Sequence, residues 1–478
     1  MPNRLMPAPN PAIESTTPET PVEGFTDFFR KAKSLGCFPE ATDAPLSHAF
    51  ASKRVIHAGG GGHKPVTGDE AKALWTSLSA TPVNKKRAAY IHVPFCTGKC
   101  IYCGFYINPM KEEISGTYAN AVICELKRDG ALTHPQSGPI HALYFGGGTP
   151  TALAPCDLAR IIEAAHRNLP LANDCEITIE GRIADMTPEM IRATTQAGAN
   201  RFSLGVQSFD TDLRRSMGRK ADRNEVIKTL STLMATDQAA VIIDLIYGLP
   251  GQTQEIWQKD LRTLFDLGLD GADLYQLNVF KGGTLDKAIQ KGALPPAADL
   301  PAQSALFKIG VEAMAANNYR RISASHWAGT PRERNIYNLL MKQKSPCLPF
   351  GSCAGGMVDG HLVIINDTLT DYLAAVGTEK PVSMIIPPKE NHRLAAHITG
   401  EMETLALDLS RLGSAFGETL PMALLPLIHC WEETGLVHID DHLMRPTTAG
   451  EFWQVNLTQG LIDYLTLYRE MGCPEPCI

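Results

Sequence analysis

The stretch YIHVPFCTGKCIYCGFYINP, Tyr90 to Pro109, opens as an apolar β-rich run and then places Cys96, Cys100 and Cys103 within eight residues. The spacing is C-x3-C-x2-C, and no Cys or His pair follows at zinc-finger distance to complete a tetrahedral site. A disulfide would leave one of the three thiols over. Three thiolates on one loop instead suit three irons of a cubane 4Fe–4S cluster, which proteins normally hold with four cysteines. Three ligands leave one iron open to a small molecule, and Tyr102 sets an aromatic ring beside it.

Working outward, the run that leads into the cysteines is the first of six. AAYIHVPF is followed by HALYFGGG (141 to 148), CEITIEGR (175 to 182), RFSLGVQS (201 to 208), AVIIDLIYG (240 to 248) and ADLYQLNVF (272 to 280). Between them lie stretches such as TYANAVICELKRDG, PCDLARIIEAAHRNL and TPEMIRATTQAGA, whose apolar residues recur at helical spacing. Strand and helix in regular alternation predict parallel strands joined by crossover helices. Polar or glycine residues gather where the runs finish: the cysteines, Gly146 to Thr149, Glu180 with Arg182, Gln207 and Asp244. Barrels assemble their active sites at the C-terminal ends of strands, so the α/β fold expected is a partial barrel of about six strands, (β/α)6 and TIM-like.

The 478 residues allow one large domain with smaller ones around it. We expect a tail over 1–24, an N-terminal extension over 25–87, the barrel over 88–330, a bridging or lid segment over 331–386 and a C-terminal domain over 387–478. The last of these reads as helix, short hairpin near Val437 to Arg445, then helix, a winged-helix-like α+β outline. Its acidic EETG and HIDDH stretches, with a net charge of −7 from 44 basic and 51 acidic side chains, argue against nucleic acid and an anionic membrane. The Pro- and Thr-rich start lacks a signal-peptide pattern and no run reaches membrane-span length, so a cytoplasmic protein is expected. Twelve cysteines in that setting predict core residues plus one metal or redox cluster. Cys473 and Cys477, in the terminal CPEPC, are expected in a mobile tail.

The run CTGKCIYC resembles the signature of radical S-adenosylmethionine (SAM) enzymes. Together with YIHVPFC, YFGGGTPT, RFSLGVQSFD and DLIYGLPGQT, it resembles the coproporphyrinogen III dehydrogenase-like branch over roughly residues 86 to 465. The resemblance implies a 4Fe–4S cluster on Cys96, Cys100 and Cys103, whose open iron chelates the amino and carboxylate groups of SAM. It implies SAM contacts from Tyr90, Tyr102, Gly146, Gly147, Thr149, Glu180, Gln207, Arg219 and Asp244. The residue types agree: glycine admits close backbone approach, a carboxylate suits ribose hydroxyls or the ammonium, and arginine pairs with a carboxylate.

Within the branch, Phe105 stands where the dehydrogenase pattern carries a further cysteine, and about 85 residues precede the first strand where chaperone-type members begin almost at once. FASKRVIHAGGGGHKP and CGFYINPMKEE look most like the anaerobic haem-degrading group, the anaerobilin synthases. That resemblance implies a radical SAM methyltransferase acting on haem without O₂. One SAM would be the radical source and another the methyl donor, the products iron and a methylated linear tetrapyrrole. The dehydrogenase and a non-enzymatic haem chaperone are the competing readings. Electrons would come from a low-potential flavodoxin or ferredoxin type donor, and a haem carrier or acceptor protein is a possible partner. His326, His57 and His63 are candidate haem ligands, and Arg321, Arg332 and Arg334 candidate propionate partners.

Overall fold

The computed structural model describes residues 23–54, 63–104 and 108–471. His57, Phe105, Cys473 and Cys477 lie outside them. Six strands, β1 (Ala88–Val93), β2 (Ile140–Gly147), β3 (Leu171–Gly181), β4 (Arg201–Gln207), β5 (Ala240–Tyr247) and β6 (Gly271–Gln276), form the centre of the molecule. Each is parallel to the next, so neighbours in sequence are neighbours in space. That order is the singly wound one of a barrel; a doubly wound sheet would reverse it.

Beyond β6 the sheet turns antiparallel through Arg320–Arg321 (β7) and His326–Ala328 (β8), with β8 paired to β6. Beyond β1 it gains Cys347–Phe350 (β9), parallel to β1 and wholly buried. β7 and β9 are the two edges of this nine-stranded sheet. The expected bridging segment is therefore divided. β9 belongs to the barrel wall, whereas Gly355–Val358 (β10), His361–Ile365 (β11) and Val382–Ile386 (β12) form a separate antiparallel sheet, extended by Val66–Thr67 of the N-terminal region.

Helices α1 (Ile114–Asp129), α2 (Pro155–Asn168), α3 (Pro188–Gln196), α4 (Arg223–Met234), α5 (Gln254–Leu267) and α6 (Leu300–Ala316) include the crossovers. In α2, Pro155 occupies the first turn, where its missing N–H costs nothing, and Leu158, Ile161, Ile162 and Ala165 are buried at helical spacing. Asp222 and Glu225 close a reciprocal capping box on α4. A further helix, Ile336–Lys342, lies across the N-terminal ends of β1, β2 and β9. Its Leu340 packs with Ala88, Ala142 and Cys347, and Glu176 accepts the N–H groups of Ile336 and Tyr337 at its start. Tyr337 stacks on Tyr144 with ring centroids 4.2 Å apart.

The C-terminal part has the expected outline: helix Thr419–Glu433, hairpin Val437–Asp440 with Leu443–Pro446, then helix Gln454–Glu470. The N-terminal extension is fastened to it. Phe28 meets Tyr464 edge-on at 4.8 Å, the indole N–H of Trp431 donates to the Cys37 carbonyl at 2.9 Å, and Arg54 pairs with Asp463 at 2.7 Å. Lys53 donates to Gln276 Oε1, at the end of β6, and lies 3.6 Å over the Phe452 ring. Among the described residues no helix is long and apolar enough to cross a membrane.

Candidate active site at the barrel mouth

The cysteine loop leaves β1 at its C-terminal end. Phe95–Cys96 pairs with Asn108–Pro109, which draws the two ends of the loop together. The glycine turn after β2 holds its base: Gly148 N–H donates to the Val93 carbonyl at 2.8 Å and Thr149 N–H to that of Phe95 at 2.7 Å. A Cβ on Gly148 would stand 2.5 Å from the Phe95 carbonyl oxygen, so this approach requires glycine. Gly147 has φ +108°, and a Cβ there would lie 2.5 Å from His92 Nε2. The GGG run thus packs the cluster loop and the His92 ring against β2.

Cys96 and Cys100 are buried and Cys103 is half-buried. Burial pushes the Cys96 thiol up, opposed by the Thr149 hydroxyl and the Arg182 guanidinium. Thr149 Oγ1 lies 3.4 Å from Cys96 Sγ, and Arg182 reaches Cys100 Sγ at 3.1 Å while also holding the Gly98 carbonyl at 2.6 Å. Donors and a cation at the sulfurs stabilise the thiolate form that iron needs. Among the described residues no three His, Cys, Asp or Glu side chains gather at single-ion distance. The donor set fits a cluster in which each sulfur takes its own iron.

The residues named for SAM converge on the lumen beside this loop. Tyr90 and Tyr144 share the inward face of β1 and β2, where a Cβ on Gly146 would meet Glu180 Oε2 at 3.0 Å and Tyr90 Cε2 at 3.1 Å. Tyr144 donates to Glu180 Oε1 at 2.6 Å, and burial raises the Glu180 carboxyl. Asp244 is pushed up to about 7, first by burial and then by the negative charges of Asp273 and Glu180. Among the described residues neither Glu180 nor Asp244 forms an ion pair, although Arg201 acts on both from a distance and Arg219 on Asp244. Arg219 is buried, bonded to the Tyr102 hydroxyl at 2.7 Å and the Gly205 carbonyl at 2.7 Å. Gln207 sits at φ +69°, a costly conformation for a side-chain-bearing residue, and its buried Oε1 has no partner among the described residues. An orphaned buried acceptor and unpaired carboxylates fit a bound cationic ligand with donors of its own.

The haem-directed candidates are not assembled in this way. His326 is fully buried, with Nδ1 2.8 Å from Asp273 Oδ2 and Nε2 3.0 Å from Glu333 Oε1. Both ring nitrogens are engaged, which leaves no lone pair for iron and corrects the expectation of a ligand there. Glu333 is also paired with Arg201 at 2.9 Å. Burial opposes the charged imidazole, but Asp273 and Glu333 outweigh it and hold His326 up to about 9. Arg321 is likewise committed, pairing with Glu451 at 2.5 Å and lying 4.7 Å over the Trp327 ring. Arg332 pairs with Asp237 and Arg334 with Asp174 at 3.2 Å, both at the surface. His63 is exposed. A cleft of about 2090 Å³ lined by Ser345, His361, His392 and Phe416, among others, holds none of the predicted site residues.

Sequence reasoning missed Arg201, Asp273, Glu333, Tyr144 and His92 as members of the site, and left Arg182 without a role. A signal for most of them is present: polar side chains at every second position of otherwise apolar strands, as in Arg201 and Ser203 of RFSLG or Asp273 and Tyr275 of ADLYQ. In a strand whose two faces are both covered, such alternation marks the lumen.

A singly wound partial barrel carrying three cysteines at the mouth, beside a glycine-lined, acid-rich lumen, is the architecture of a radical SAM enzyme. Residues 90–264 match the radical SAM superfamily model. The chain is 40% identical over 406 residues, 84% of its length and 89% of the relative's, to the anaerobilin synthase of Escherichia coli O157:H7. It is 24% identical to the haem chaperone HemW of Bacillus subtilis (strain 168), over 76% of this chain and 96% of that one. The coproporphyrinogen III oxidase HemN from Escherichia coli shares the fold, with a TM-score of 0.71 at 21% identity, covering 83% of this chain and 94% of that one. The chain belongs to the radical SAM superfamily, in the branch that contains these three relatives. Enzymes of this superfamily use a 4Fe–4S cluster and SAM.

Proposed function

We propose that this enzyme opens the haem macrocycle without oxygen, releasing iron and a methylated linear tetrapyrrole. The observation that carries the reading is 40% identity to an anaerobilin synthase across 84% of the chain. Bound at Cys96, Cys100 and Cys103, the cluster would supply with SAM a 5′-deoxyadenosyl radical. The chain's own residues do the positioning. Thr149 and Arg182 orient the cysteine sulfurs, Gly146 and Gly147 give SAM close access to backbone, and Tyr90 and Tyr102 flank it. Glu180 and Asp244 face its ribose or ammonium, Arg219 its carboxylate, and Gln207 its remaining donors. The walls of the barrel keep water from the reacting carbon.

Two SAM molecules are consumed per turnover in this reading, one as radical source and one as methyl donor, and a flavodoxin or ferredoxin type protein supplies the electrons. Haem is the substrate, and a carrier protein delivers it. The test is an anaerobic incubation of reconstituted enzyme with haem, SAM and reductant. The Soret band collapses and a linear tetrapyrrole heavier by a methyl-derived carbon appears in the mass spectrum. Decarboxylation of coproporphyrinogen III with haem intact would instead establish the dehydrogenase, and stoichiometric haem transfer with no porphyrin loss would establish a chaperone. Cys100→Ala abolishes SAM cleavage, and cleavage that survives it refutes the cluster assignment.

A further inference from the structure

Large apolar side chains are rarely left in solvent without a reason when they cluster. Among the described residues only four are substantially exposed: Leu35 on its own, and Tyr275, Val279 and Phe280 at 40%, 38% and 49% within one six-residue stretch. That stretch is the exit of β6, at the same end of the barrel as the cysteines. Phe280 adjoins the cluster loop itself, since a Cβ on Gly104, directly after Cys103, would lie 3.8 Å from Phe280 Cε2. Tyr275 shares the inward face of β6 with Asp273, two residues before it.

The stretch has a rigid base. Leu277 is buried with Leu213, Met217, Ile246, Leu249 and Leu285, and its N–H donates to the Tyr247 carbonyl at 3.0 Å. A tight turn fixes Phe280: Gly283 N–H donates to its carbonyl at 2.9 Å, and Gly282 N–H donates to Asp286 Oδ2 at 2.7 Å, with Gly282 at φ +76°. Packing and hydrogen bonds therefore fix the base of the stretch and the Phe280 turn, while Tyr275 bonds Asp273 at the lumen side. Lys281, next in the chain, is exposed and forms no ion pair among the described residues.

We propose that Tyr275, Val279 and Phe280 form the ledge that seats the flat apolar face of haem beside the cluster loop, with Lys281 taking a propionate at its outer edge. The proposal rests on haem being the substrate. An aromatic ledge with a cation at its rim matches a planar ligand that is apolar across its face and acidic on one side. Its continuity with the cysteine loop brings that ligand to the reacting centre. A protein electron donor covering the same ledge is the rival occupant, and the test separates the two.

The probe is zinc protoporphyrin IX, titrated by fluorescence polarisation into the reconstituted full-length protein without SAM, reductant or partner. Parent protein binds it saturably. Phe280→Ser and Tyr275→Ser each weaken binding about tenfold, for the porphyrin and for its dimethyl ester alike, because they remove apolar contact. Lys281→Met weakens the diacid several-fold and the ester not at all, and Lys281→Arg restores the diacid. Leu35→Ser, the exposed apolar residue on another part of the surface, binds as the parent does. Thermal unfolding at the parental temperature confirms that these surface variants fold. Parental binding that Phe280→Ser and Tyr275→Ser leave unchanged overturns the ledge, as does slower reduction by flavodoxin with porphyrin affinity intact. Failure of the parent itself to bind the porphyrin overturns the substrate reading instead.

Discussion

Replacing Gly147 by alanine tests how the glycine turn holds the cluster loop. At φ +108° a residue with a Cβ is strained by about 1–3 kcal/mol. The added methyl would also stand 2.5 Å from Nε2 and 2.6 Å from Nδ1 of His92, well inside contact distance, so the imidazole or the turn must shift. Overpacking of this kind costs a further 1–3 kcal/mol or so, for a total of about 2–6 kcal/mol. His92 cannot swing freely, because its Nδ1 is bonded to the Tyr90 hydroxyl at 2.9 Å and burial holds the ring neutral, its pKa lowered to about 4. The measurement is urea unfolding under anaerobic conditions, with iron per chain determined after reconstitution. His92→Ala alone loses the Tyr90 bond and the ring's packing. In the double variant the steric part of the Gly147→Ala cost disappears while the φ part remains, so the two changes couple favourably by about 1–3 kcal/mol. Strict additivity, or a cost for Gly147→Ala below about 1 kcal/mol, would refute the argument that this ring sets the need for glycine.

The His326 network gives a pH signature. Because His326 is raised in the folded state to about 9, its contribution to stability is complete below the unfolded value near 6.5 and is lost as pH rises through about 9. The urea midpoint of the parent falls across that window, and the fall is absent in His326→Gln. With both ring nitrogens of His326 bound to carboxylates, the same variant leaves the Soret maximum of bound haem where it was, and a shifted maximum would restore His326 as a ligand. Arg182→Leu removes the guanidinium from Cys100 Sγ, and the midpoint potential of the reconstituted cluster moves negative by roughly tens of millivolts in a spectroelectrochemical titration. An unchanged potential would show that Arg182 does not act on that ligand.

The parallel strands and the cysteine loop were legible because both are local. A strand announces itself within eight residues and C-x3-C-x2-C within eight more. The residues expected at SAM stand at the strand ends the motifs marked, with Gln207 and Asp244 at the lumen, whereas Gly147 is a glycine because of its φ and the His92 ring beside it. What escaped were long-range pairings. Arg201 meets Glu333 across 132 residues and His326 meets Asp273 across 53, and no spacing rule links such partners. His326 therefore read as an available imidazole when it is the centre of a buried salt-bridge network. β9 escaped because CLPF is four residues long and carries a proline, a weak strand signal that gains its place only from packing beside β1. The division of residues 331–386 followed from that single omission.

Helix Ile336–Lys342 closes the N-terminal end of the barrel near β1 and β2, with Tyr337 laid against Tyr144 and Leu340 against Ala88. The lumen therefore has a floor beneath β1, β2 and β9, and a small molecule held there approaches from the cysteine end or past the open edge strands β7 and β9.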